Sequence, residues 1–120
     1  MYDHIGLRVK DMDTSRRFYT AALAPLGFVP GSSGEGYAGF GPKDAPGLWL
    51  HATKGTTGSG AHVCFKAPNR AAVEKFHAEG LMVGGKDNGK PGLRTDYGPN
   101  YYGAFLIDPD GNNVEAVCFK

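Results

Sequence analysis

With 120 residues, 41% of them hydrophobic, the chain has the apolar mass for one compact domain with a modest core. The formal net charge is +1 and the basic residues are scattered, which excludes the clustered basic face of a nucleic-acid binder. No apolar run approaches the roughly twenty residues needed to span a bilayer, and the opening Met-Tyr-Asp-His carries no basic and apolar leader. A cytoplasmic protein without membrane or nucleic-acid partners is expected.

Residues 4 to 9, His-Ile-Gly-Leu-Arg-Val, alternate strictly. They predict a half-buried strand with Ile5, Leu7 and Val9 on one face and His4, Gly6 and Arg8 on the other. Asp11 or Asp13 can cap a helix over residues 14 to 24, with Phe18, Ala22 and Leu23 inward and Pro25 ending it. A short strand over 26 to 30, a Ser/Gly turn over 32 to 36 and strands over 37 to 41 and 48 to 52 follow, then a Gly/Thr/Ser linker over 54 to 60. After the linker the pattern predicts a strand over 61 to 66, a helix over 69 to 79 and a short strand over 81 to 85. Lys86 to Asn100, rich in glycine with two prolines, reads as a long functional or mobile loop. Tyr101 to Lys120 reads as a hairpin about Asp108-Pro109-Asp110-Gly111, a type I turn with proline second and glycine fourth.

A shift of 58 residues lays His4-Ile-Gly-Leu-Arg on His62-Val-Cys-Phe-Lys, Asp11 on Asn69 and Phe18 on Phe76. This predicts a duplicated β-α-β-β-β unit, one copy in 1–55 and one in 60–120, within a single domain spanning 1–120. Both cysteines fall in predicted strands and read as reduced, buried thiols. Cys64 shares the face of His62, and Cys118 lies opposite Glu115.

Glu115 is the only charge inside the apolar strand Val-Glu-Ala-Val-Cys-Phe, and an unpaired carboxylate there costs several kcal/mol. Two imidazoles at repeat-equivalent positions and this carboxylate could surround a divalent ion and leave positions open for substrate. The alternative is that the histidines are ordinary rim residues and Glu115 pairs with Arg8 or Lys66. Trp49, Tyr97, Tyr101, Tyr102 and Arg94 are pocket candidates, with Arg94 and Tyr97 in the Gly/Pro stretch where packing explains least. Arg8 is a candidate neighbour of Glu115.

The opening His4-Ile-Gly-Leu-Arg-Val, the second His62-Val-Cys-Phe and the closing Asp108-Pro-Asp-Gly-Asn-Asn-Val-Glu115 resemble the vicinal oxygen chelate superfamily, over nearly the whole chain. That group holds glyoxalase I, extradiol dioxygenases, fosfomycin-resistance transferases and bleomycin-resistance proteins. The resemblance implies an α+β fold of two β-α-β-β-β modules, paired into an open, cup-shaped eight-stranded sheet. It also implies one divalent ion (Fe, Mn, Ni or Zn) held by His4, His62 and Glu115, with Glu115 also catalytic. Glyoxalase I carries a fourth ligand, a glutamate, at a position matched here by Trp49, unless the register shifts to His51. Trp49, His51, Arg94, Tyr97 and Tyr101 then contact a small-molecule substrate. The implied protein is a homodimer and a glyoxalase-like lyase or isomerase or a small dioxygenase, the alternative being a non-catalytic binder of drug-like ligands.

Overall fold

The computed structural model describes residues 1–54 and 61–120. The elements run β1 (Ile5–Val9), α1 (Met12–Leu23), a 3-10 turn (Ala24–Leu26), β2 (Val29–Gly34), β3 (Tyr37–Gly41) and β4 (Leu48–Ala52). The second series is β5 (His62–Lys66), α2 (Arg70–Met82), β6 (Lys86–Leu93), β7 (Tyr102–Ile107) and β8 (Asn113–Cys118). Each series makes a four-stranded sheet of the same order, β1-β4-β3-β2 and β5-β8-β7-β6, with the first and last strands of a series parallel. The architecture is α+β, two copies of one β-α-β-β-β unit. Among the described residues, no helix is long and apolar enough to cross a membrane.

The repeat extends to its caps. Asp11 accepts from Thr14 N at 3.1 Å and Asn69 from Ala72 N at 2.8 Å, each holding an otherwise unpaired N–H of its helix. Leu7 and Val9 of β1 and Val63 of β5 turn inward beneath the helices, with Phe18, Ala22 and Leu23 of α1 and Val73 and Phe76 of α2. The two helices pack on each other, so the two units share one core. His4, Gly6, Arg8, His62, Cys64 and Lys66 remain outside it.

Several expected boundaries move. The strand expected over 26 to 30 starts late: the 3-10 turn stops at Gly27, whose φ of 90° suits glycine, and β2 begins at Val29 and continues to Gly34 through the expected Ser/Gly turn. The expected strand over 81 to 85 is also absent, since α2 runs on to Met82. Most of the expected long loop is β6, an edge strand whose register against β7 slips twice around Gly89. Cys118 is buried as expected, whereas Cys64 is exposed; both thiols are free. The linker expected over 54 to 60 lies, beyond Lys54, outside the described residues.

The closing turn ties the units together. Gly111 N donates to Asp108 O at 3.0 Å, with Pro109 second and Gly111 fourth, as expected. The buried Asp108 carboxylate takes bonds from the backbone N–H of Asp110 and Asn112, from Asn112 Nδ2 and, at 2.5 Å, from the hydroxyl of Tyr19 on α1. Asp110 then accepts from Ser15 Oγ and Lys10 N. A hydrogen bond to a buried charge contributes about 1.5–3 kcal/mol. Tyr19→Phe should therefore lower the urea-unfolding free energy by about that amount, as measured by circular dichroism.

Candidate active site on the second sheet

The face of the second sheet opposite the helices is set by register. Cys64 of β5 pairs with Glu115 of β8, and Glu115 pairs with Phe105 of β7. His62, Cys64, Glu115 and Phe105 thus share a face. His62 Nε2 lies 2.8 Å from Glu115 Oε1, within hydrogen-bond distance. The hydroxyl of Tyr101 donates to Glu115 Oε2. Gly103 makes that reach possible: a Cβ there would stand 3.2 Å from the Tyr101 ring and 3.4 Å from Oε2.

Glu115 is 2% exposed, while the His62 side chain above it is 53% exposed. The carboxylate is thus buried beneath groups that themselves meet solvent. Burial and the neighbouring carboxylate push the Cys64 thiol up to about 12. Burial and the bond to Glu115 likewise carry the Tyr101 phenol well above its ordinary range, so it stays a donor. Cys64, which the sequence placed on the face of His62, was expected to be an ordinary buried thiol rather than a member of this cluster.

The other expected residues divide between the two sheets. His4 stands on the first unit, its Nδ1 2.6 Å from Asp3 Oδ1, and does not join His62 and Glu115. Among the described residues of one chain, no three His, Cys, Asp or Glu side chains are grouped to hold a metal ion. Trp49 and His51 are on β4, paired with Gly6 and Arg8 of β1. With His4 equivalent to His62, that register makes Trp49 the counterpart of Glu115 and His51 the counterpart of Val117. The indole lies down on Gly39, where a Cβ would stand 2.7 Å from it. Glu115 bonds to neither Arg8 nor Lys66; its side-chain hydrogen bonds are to His62 and Tyr101.

Tyr97 meets Tyr101 edge-on at 5.2 Å, and Tyr101 meets Phe119 in the same way at 5.5 Å. Arg94 lies over Phe105, with 5.5 Å from guanidinium carbon to ring centre. Tyr102 is not a pocket residue. Its hydroxyl donates to Glu74 at 2.6 Å and Arg70 covers its ring, both on α2, because it alternates to the helix side of β7. A cleft of about 200 Å³ opens where Ile5, Phe28, Phe40, Val63, Cys64 and Phe65 meet. Apart from the Cys64 thiol its side chains are apolar.

The sequence profile of the Glyoxalase/Bleomycin resistance protein/Dioxygenase superfamily matches residues 2–116. A glyoxalase/bleomycin resistance protein from Albidiferax ferrireducens T118 is 29% identical in sequence, with a TM-score of 0.85 over 98% of this chain and 97% of its own. A glyoxalase/bleomycin resistance protein/dioxygenase family enzyme from Burkholderia phytofirmans PsJN shares the fold at 18% identity, with a TM-score of 0.76 over 98% of both chains. A glyoxalase-related enzyme from Fulvimarina pelagi shares it at 16% identity, with a TM-score of 0.76 over 98% of this chain and 86% of its own. No curated protein matches the chain.

The Cys64 thiol supplies a direct check on this cluster. Held protonated beside Glu115, it should react with iodoacetamide at pH 8 about a hundredfold or more slowly than an ordinary thiol. Glu115→Gln should speed that reaction, with Cys64→Ser giving the background from Cys118. Equal rates in wild type and Glu115→Gln would place the thiol away from the carboxylate.

Proposed function

The chain belongs to the Glyoxalase/Bleomycin resistance protein/Dioxygenase superfamily, and on that premise we propose a divalent-metal-dependent enzyme whose site is shared between two copies of the chain. Its substrate is a small molecule that meets the ion through neighbouring oxygens, and the reaction is a glyoxalase-like isomerisation or lysis or a dioxygenation. The observation that carries this reading is the 2.8 Å approach of His62 Nε2 and Glu115 Oε1. Two donors that each stand about 2.1 Å from one ion, at adjacent positions, lie about 3 Å apart. The pair is therefore already spaced as adjacent ligands, and imidazole with carboxylate suits Fe, Mn, Ni or Zn.

The third donor is His4, the counterpart of His62 on a strand that, like β5, is at the edge of its sheet. Unpaired edges are natural places for a second chain to add. A second copy that sets its β1 beside β5 joins two four-stranded sheets into an eight-stranded one and brings His4 towards the pair. His4, His62 and Glu115 would hold the ion, which supplies Lewis acidity to charge building on two substrate oxygens. Tyr101 holds the free carboxylate oxygen and fixes the orientation of Glu115. Glu115 would also be the carboxylate placed to accept a substrate proton. Trp49 and His51, which arrive with His4, form an aromatic wall where a fourth ligand would otherwise stand.

A second reading is a binder without catalysis. It is favoured by one fact: imidazole and phenol already meet both oxygens of Glu115 without an ion. Elemental analysis separates the two. Wild type reconstituted with metal should carry about one ion per chain, and His4→Ala and Glu115→Gln alone should each lose most of it. Co-expressing those two variants should restore about one ion per mixed dimer, because one site then draws all three ligands from intact positions. No metal in reconstituted wild type favours the binder, and no recovery on mixing overturns the shared site.

A further inference from the structure

Arg94 is a cation held in place without an anion. Its Nη1 donates to Gly92 O at 2.9 Å and its Nη2 to Lys90 O at 2.6 Å, so backbone carbonyls rather than a carboxylate fix it. Among the described residues no acidic side chain pairs with it. The guanidinium lies close over the strand beneath it: a Cβ at Gly89 or at Gly92 would stand 3.2 Å from its nitrogens. Phe105, the register neighbour of Glu115, supports the group from the sheet. Arg94 is also bonded to Tyr101 through the backbone, N to O at 2.8 Å, and Tyr101 reaches Glu115. Guanidinium, phenol and carboxylate are therefore laid on one face by a single short connection from β6 to β7.

A guanidinium has five donors in a planar fork, and two of these five are used here. The unused donors, resting on an aromatic ring at a partly buried position, match an oxyanion better than any neutral partner. We propose that Arg94 recognises an anionic oxygen group on the substrate, a carboxylate or a phosphonate. The substrate would then be a small oxyanion placed beside His62 and Glu115. This rests on the reading that the outer face of the second sheet is the substrate face, but it does not require the ion.

The test is therefore run in chelator, with benzoate, phenylphosphonate and the neutral benzamide as probes, followed by amide NMR shifts and melting temperature. At least one anion should bind with saturation, shifting the amides of Gly89 to Arg94, and benzamide should not. Arg94→Gln should weaken that anion at least about tenfold and Arg94→Lys less, since a point charge keeps attraction but loses the fork. The tighter of the two anions identifies the group as carboxylate or phosphonate. Binding of benzamide equal to the anions, no saturation by either anion, or unchanged affinity in Arg94→Gln each overturns the proposal. So does a shift of Arg94→Gln towards monomer with anion affinity intact, which assigns the guanidinium to a subunit contact. If Arg94→Gln does not fold, the Arg94→Lys affinity and the wild-type amide shifts decide. Metal content measured in parallel separates a failure here from a failure of the metal site.

Discussion

Two buried carboxylates on one hairpin organise the second unit, and the difference between them separates structure from chemistry. Asp108 is held by two backbone N–H groups, its neighbour Asn112 and the Tyr19 hydroxyl. Backbone donors cannot leave without unmaking the turn, so that acid is committed to joining the units. Glu115, seven positions on, takes its side-chain hydrogen bonds from His62 and Tyr101. Each of these can turn away when a better partner arrives. A buried charge that depends on exchangeable partners carries its desolvation cost into any reaction it enters. That marks Asp108 as the structural acid and leaves Glu115 as the acid of the proposed site, although both are almost fully buried.

The glycines around Glu115 belong to the same arrangement. Gly103 lets the Tyr101 ring cross the strand to the carboxylate, and Gly89 and Gly92 let Arg94 lie on the sheet. On the first sheet Gly39 does the equivalent for Trp49. In each case a large polar or aromatic side chain rests on backbone where a Cβ would obstruct it. The outer faces of both sheets are thus lined by long side chains laid across glycine, which accounts for part of the glycine content.

Legibility in the sequence followed the burial of each strand. β1, β3, β4, β5, β7 and β8 bury one face under the helices, and their alternation or apolar runs marked them within a residue or two. β2 and β6 were the strands misread: β2 was expected to end at residue 30, with a turn where it continues, and β6 was expected to be a loop. Both are outer edge strands with little to bury and irregular register, so neither pattern nor propensity announces them. The helix ends had the same difficulty: Leu81 and Met82 look apolar enough for a strand but complete α2. Within the site, the strand face of His62 and Glu115 was readable from period-two spacing, and their contact followed from pairing. The separation of His4 was not readable, because repeat equivalence fixes where a residue sits in its own unit and says nothing of how the units meet.

That meeting explains why the two copies could diverge. Equal units give His4 and His62 in one place, Gly6 and Cys64 in the next, and Trp49 opposite Glu115. The second copy kept a hydrogen-bonded acid; the first put an indole in its place and a glycine where the thiol would be. In a symmetric arrangement of two chains, each proposed site takes one face of each kind. It therefore has a polar half with Glu115, Tyr101 and Arg94 and an aromatic half with Trp49. A substrate held between them would present its oxygens to one wall and its carbon skeleton to the other. Duplication alone gives two equivalent walls, and the single exchange of carboxylate for indole gives the site a direction.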